Sequence, residues 1–161
     1  MNLSIQAMID EVLAEKTARK RSGKYSPSSF GKCFRAQYWN RKDEPQSNPT
    51  DNRVLRVFKA GNLFHDFVQG TIISRYPELK KEVLVAVDPD IVGYADLVND
   101  IEVIDIKSQH SQAFHYMAKT KDIREDKYTN WLQVGYYALA LGKQGMRLVF
   151  VSKDDLCIQE Y

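Results

Sequence analysis

The sequence predicts an α/β fold, a mixed central sheet flanked by helices, and three observations carry that prediction. Residues 53–75 hold an apolar stripe at helical spacing, residues 82–107 switch to strand-like apolar runs, and residues 125–141 return to a helical pattern before two closing strands. With 161 residues, the chain suits one domain able to bury a real core. It divides into an N-terminal helical region, 1–52, and a core, 53–161.

Residues 3–20 read as an amphipathic helix with Leu3, Ile5, Met8, Ile9, Val12 and Leu13 on one side. Ser22-Gly23-Lys24 breaks it. Ser26 is a capping residue and Pro27 suits a first helical position, so a short helix is expected from there to about Lys42. Asp43 to Asn52, with Pro45 and Pro49, is a loop. The helix over 53–75 has Val54, Phe58, Gly61, Phe64 or His65, Val68 and Ile72 along its stripe, and Pro77 stops it. Strands are expected at Glu82–Val87, Ile91–Val98 and Ile101–Lys107, the last two joined by the link Asn99-Asp100. Residues 108–124 read as a loop or short helix. The helix over 125–141 ends at Gly142, and Arg147–Ser152 with Leu156–Glu160 form a hairpin over Lys153-Asp154-Asp155.

Composition excludes several classes. Hydrophobic residues make up 43% and charged residues 27%, which does not fit wholesale disorder. No apolar run approaches the roughly 20 residues of a membrane span. The N-terminus lacks the apolar core of a signal peptide, so a cytoplasmic location is the default expectation. The cysteines Cys33 and Cys157 stand far apart and form no CxxC pair; they are read as two free thiols or one disulfide. A net charge of +2 does not announce a nucleic-acid binder. Its distribution says more: Lys16, Arg19, Lys20, Arg21, Lys24, Lys32, Arg35, Arg41 and Lys42 concentrate in the first quarter, as a phosphate-binding cluster or as a solvated surface.

The chemistry-bearing signal is Gly93-Tyr94-Ala95-Asp96 followed by Asp105-Ile106-Lys107. Side chains alternate along a strand, so Asp105 and Lys107 share a face. With Asn99-Asp100 as the turn, Asp96 lies opposite Val103 and diagonal to Asp105 on that face. Apolar neighbours on both faces mark these strands as buried. Two carboxylates and an ammonium are costly there unless they are paired or bound to metal. The alternatives are a site for a hard cation such as Mg²⁺ or Mn²⁺, or a buried Asp–Lys pair with a second, hydrogen-bonded Asp. His65 points toward the sheet, with Gly61 one turn earlier leaving room beside it. It is either a packed core histidine or a ligand. Gln133 and Tyr137 share a helix face, either as ordinary packing or as hydrogen-bond donors to phosphate or scaffold.

These residues resemble the RecB-like nucleases of the PD-(D/E)XK superfamily, especially phage and CRISPR-associated exonucleases. The family pattern is G-x-x-x-H, G-x-x-D, D/E-x-K and Q-x-x-x-Y. It matches Gly61 to His65, Gly93 to Asp96, Asp105-Ile106-Lys107 and Gln133 to Tyr137, in order and over about residues 26–161. The resemblance implies a restriction-endonuclease-like core of order α-β-β-β-α-β, with 53–161 as its catalytic part. It also implies a divalent-metal-dependent deoxyribonuclease: an exonuclease or structure-selective endonuclease of recombination, repair or phage replication. A catalytically silent or partner-dependent DNA-binding module on the same fold is the alternative. His65, Asp96, Asp105 and the Ile106 carbonyl would hold one or two Mg²⁺ or Mn²⁺ ions, Lys107 would orient the attacking water, and Glu82 would assist. Gln133 and Tyr137 would support the site or touch DNA, and Arg19, Lys20, Arg21, Lys32 and Arg35 would bind its backbone. The implied partners are DNA ends and a recombination or annealing protein. The CRISPR-associated members use one early and three late cysteines for an iron–sulfur cluster. Cys33 matches the early one and the late three are missing, so no cluster is expected. The chain then reads as a cluster-free relative, such as a compact phage enzyme, or as one cut short.

Overall fold

In the computed structural model, residues 4–17 and 22–161 are described, with side-chain environments given for 4–15 and 22–161. The helices are α1 (Ile5–Thr17), α2 (Phe34–Arg41), α3 (Asn52–Arg75), α4 (Ser111–Met117), α5 (Ile123–Asp126) and α6 (Tyr128–Ala140). The strands are β1 (Lys80–Val85), β2 (Gly93–Val98), β3 (Glu102–Gln109), β4 (Gly145–Ser152) and β5 (Ile158–Glu160). They form one mixed sheet in the order β1-β2-β3-β4-β5. Only β3 and β4 run parallel, from Glu102↔Gly145 to Gln109↔Ser152. A parallel pair needs a long crossover, and α4, α5 and α6 supply it.

The sheet is covered on both faces. Val85, Val103, Val134, Tyr137, Leu148 and Phe150 share one core on the α6 side. Val68, Leu97, Ile104, Ile106, Val149 and Val151 make a smaller one on the α3 side.

Several expected elements are redrawn. The helix expected after Ser26 splits into a 3-10 turn, Pro27–Ser29, and α2, because Gly31 takes φ +75 between them. Asp51 caps α3 by accepting the Val54 amide at 2.7 Å, which fixes its start. Residues 108–124 include α4 and the start of α5, and the helix expected over 125–141 is α5 followed by α6, with Gly142 at φ +63 after it. The apolar side expected of α1 is not buried: Ile5, Met8, Ile9 and Val12 stay exposed, and α1 meets α3 through an Asp10–Arg56 ion pair. Cys33 and Cys157 are both free and exposed. Among the described residues no helix is long and apolar enough to cross a membrane.

The turn between β2 and β3 is Asp100-Ile101 rather than Asn99-Asp100. Asn99 closes it: its amide donates to Glu102 O, and its Oδ1 accepts from the Ile101 and Glu102 amides at 2.8 and 2.7 Å. The pairs become Leu97↔Ile104 and Val98↔Val103. Continuing that register sets Asp96 opposite Asp105 instead of opposite Val103.

Candidate functional site

The site lies where the strands stop being regular. The β2–β3 ladder ends at Leu97↔Ile104. Ala95 and Val98, three residues apart, both belong to the α6-side core, while Leu97 belongs to the α3 side. Strict alternation forbids that, so the side-chain alternation resets at Asp96. In the neighbouring strand, Glu82 lies between the pairs Lys81↔Leu97 and Val83↔Ala95 and takes φ +50. A non-glycine residue in that region stores strain of order 1–3 kcal/mol, and such strain clusters at functional sites. The paired distortion turns Asp96 out of the α6-side core and toward α3.

There Asp96 fills the gap between the strands. Its Oδ2 accepts the Ile106 amide at 2.7 Å and lies 2.9 Å from His65 Nε2. The N–H and C=O of one strand residue point the same way, so the Ile106 carbonyl faces this gap too. Gln69, one turn beyond His65 on α3, is buried. Its Nε2 donates to Glu82 Oε1 at 3.0 Å and to the Asp96 carbonyl at 2.9 Å. One helix thus holds both acidic residues through a His and a Gln spaced i, i+4. Ligand atoms of His65, Glu82 and Asp96 lie within 4.8 Å of one another.

Asp105 is placed differently from the expectation. Strict alternation would have put both aspartates on one face. Asp105 points to the α6 side and is 0% exposed, outside the group of His65, Glu82 and Asp96. Lys107 Nζ lies 2.7 Å from its Oδ2 and pairs with it, while Oδ1 has no hydrogen-bond partner. Burial pushes the Asp105 carboxyl up to about 6, with Lys107 opposing and Asp96 adding to the rise. The His65 imidazole is also raised, chiefly by its hydrogen bond to Asp96, against the desolvation that lowers it.

A cleft of about 750 Å³ opens over this group, and Ile106 and Lys107 reach its lining. Phe58, Lys59, Asp66, Ser108 and Lys153 line it as well. None of these five was marked as a site residue by the sequence, and neither was Gln69. For Gln69 the available signal was its i+4 spacing from His65. Phe58 appeared only as part of an apolar stripe, yet it is 59% exposed.

Gln133 and Tyr137 are buried at 7% and 2%, so they belong to the scaffold and not to a DNA-facing surface. Burial holds the Tyr137 hydroxyl up at about 12, with Gln133 and the Tyr94 backbone opposing the rise and Asp105 and Asp96 adding to it. It sits so close to β2 that a Cβ on Gly93 would meet Tyr137 Oη at 2.5 Å. Gly93 is therefore the residue that lets α6 dock on the strand carrying Asp96. Of the expected phosphate-binding cluster, Lys32 and Arg35 are exposed. Arg41 is committed to Asp90 and to the face of Tyr25. Arg19, Lys20, Arg21 and the Lys16 side chain lie outside the described residues.

No family model matches the chain, and no curated protein does. Among solved structures the chain is similar to one described only as the crystal structure of SSO0001. The TM-score is 0.63 at 16% identity, over 98% of this chain and 77% of that one. At that identity the likeness speaks for the fold alone: a mixed α/β sheet flanked by helices, here and there.

Proposed function

We propose that the chain is a divalent-metal-dependent DNA nuclease of the RecB-like PD-(D/E)XK kind, acting on DNA ends. The observation that carries this reading is the convergence of His65, Glu82 and Asp96 within 4.8 Å at a break in the β2–β3 ladder, beside Lys107. Hard oxygen donors with one imidazole nitrogen suit Mg²⁺ or Mn²⁺. Asp105, paired with Lys107 and within electrostatic reach of Asp96 and His65, adds to the acidic character that a cation would compensate.

His65, Glu82, Asp96 and the Ile106 carbonyl would hold the ion, with Asp105 behind them. A bound cation would bring the pKa of a water toward neutrality and offset charge developing on the phosphodiester. The chain's own groups do the rest. Gln69 fixes Glu82 and the Asp96 backbone, so two ligands keep their spacing without rearrangement. Lys107 lines the cleft, and its ammonium would orient the attacking water and steady the phosphate oxygens there. Asp105 restrains that ammonium from the dry side of the sheet.

The test is cleavage of end-labelled linear DNA and covalently closed circles with Mn²⁺, Mg²⁺ or EDTA, beside Asp96→Ala and Lys107→Ala. The expected result is metal-dependent loss of linear DNA only. Both variants should be inactive, and Lys107→Ala should still bind Mn²⁺ by isothermal titration. Cutting of circles would make it an endonuclease. Mn²⁺ binding without cleavage would favour a binding module, and Mn²⁺ binding undiminished in Asp96→Ala would remove the site.

A further inference from the structure

The cleft carries a second feature, separate from the ligand group. Phe58, Gly61, Asn62 and His65 fall at i, i+3, i+4 and i+7 on α3, and all four line the cleft. Val57 and Phe58 lie there at 48% and 59% exposure. A single exposed aromatic is ordinary surface. Phe58 is set apart by its surroundings. Lys59 is its neighbour, and Lys153 Nζ would stand 3.8 Å from a Cβ on Gly61, between Phe58 and His65. Among the described residues neither lysine pairs with a carboxylate, and Phe58 stacks on no other ring. The seven helical steps from Phe58 to His65 span about 10 Å along the helix, so the ring stands apart from the ligand group on the same helix face.

An apolar ring beside unpaired ammonium groups, about 10 Å along the helix from a phosphodiester-processing centre, matches the chemistry of one substrate form. The lysines match the backbone charge. The ring needs a base face, and within a duplex those faces are covered by neighbouring base pairs except at the terminal pair, so a ring set back from the centre along the cleft calls for an unpaired strand. We propose that Phe58, with Lys59 and Lys153, is a base-stacking and phosphate-holding track that makes a single-stranded DNA end the substrate of this cleft. This rests on the nuclease reading for the word substrate, while the binding it describes requires no cleavage.

The test therefore measures binding in EDTA by fluorescence anisotropy, using oligothymidylate and a blunt-ended hairpin of equal nucleotide count. Wild type should bind oligothymidylate more tightly than the hairpin. Phe58→Ala should weaken oligothymidylate by roughly 5- to 150-fold, as expected for loss of one stacked base, and leave the hairpin within about twofold. Phe58→Tyr should restore binding, which a merely structural role would not explain. Lys59→Ala and Lys153→Ala should each lower the salt slope by about 0.7. Equal binding of the two probes, an equal loss on both in Phe58→Ala, or no loss on either overturns the proposal. Phe58-dependent binding with no cleavage under any metal sinks the nuclease reading and leaves the track; cleavage with Phe58-independent binding does the reverse.

Discussion

On the α6 side of the sheet, Val85, Val103, Val134, Leu148 and Asp105 are all fully buried, and Tyr137 closes directly onto the strand backbone. On the α3 side the buried cluster is smaller, and Val57, Phe58, Leu63 and Phe67 of the covering helix remain exposed. The same strands serve both faces. What separates them is how each treats charge. The α6 side holds one carboxylate, Asp105, whose partner is the Lys107 ammonium and whose burial still raises its pKa. The α3 side gives Asp96 an amide and an imidazole, and gives Glu82 a carboxamide. One face sets the geometry of β2 and β3, and the other is left wet enough to admit a ligand.

If that division is right, truncations on the two faces should separate stability from binding. Tyr137→Ala removes a fully buried ring and should cost about 3–5 kcal/mol in urea unfolding. Phe58→Ala, on an exposed ring, should stay within about 0.5 kcal/mol. Comparable losses from both would abolish the distinction between a scaffold face and a working face.

Asp105 sharpens the comparison through pH. Its folded pKa of about 6 lies above the ordinary 3.8, so the folded state holds the proton longer than the unfolded chain. The stability this brings is full below about pH 3.8 and is lost as pH rises through about 6. At pH 7 the buried carboxylate is therefore a burden, which Asp105→Asn relieves. In EDTA the variant should be more stable than wild type by about 2–3 kcal/mol at pH 7, from 1.36 kcal/mol per pKa unit. The gap should close toward pH 4. An Asn variant less stable at pH 7 would mean that the Lys107 pair outweighs burial. His65 gives the opposite face its own pH signature. Its raised pKa means that Mn²⁺ must displace a proton below a midpoint above 6.5, so affinity should fall as pH drops. In metal-free Asp96→Asn the His65 imidazole, followed by NMR, should titrate closer to its ordinary value.

Much of this was legible in the sequence, and the failures have physical causes. The helix through His65, the strands through Asp96 and Asp105 and the helix that leads to a further strand follow from apolar periodicity, which burial enforces. The face of Asp96 was not legible. Period-two alternation placed it beside Asp105, and only the strained Glu82 opposite it shows that the alternation resets. The turn was off by one residue because the Asn99 side chain, not a two-residue hairpin preference, closes it. Gln133 and Tyr137 were equally compatible with packing or contact, since spacing fixes a shared face and says nothing about what covers it. Gln69, Phe58 and Lys153 were missed because their significance is tertiary: each matters through a strand or loop remote in sequence.

Two glycines make the mildest test of the same division. A Cβ on Gly93 would meet Tyr137 Oη at 2.5 Å and Pro27 Cδ at 3.0 Å, contacts that force the closed side apart. Gly93→Ala should cost about 1–3 kcal/mol by overpacking and should disturb metal binding through β2. A Cβ on Gly61 would meet Ser108 Oγ at 3.5 Å and Lys153 Nζ at 3.8 Å, which are ordinary contacts. Gly61 lies inside a long helix, where Ala is favoured over Gly by up to about 1 kcal/mol. Gly61→Ala should therefore raise the urea midpoint slightly and leave Mn²⁺ titration unchanged. A loss of stability at Gly61 would show that the α3 face is packed as tightly as the α6 face, with no room there for a DNA strand.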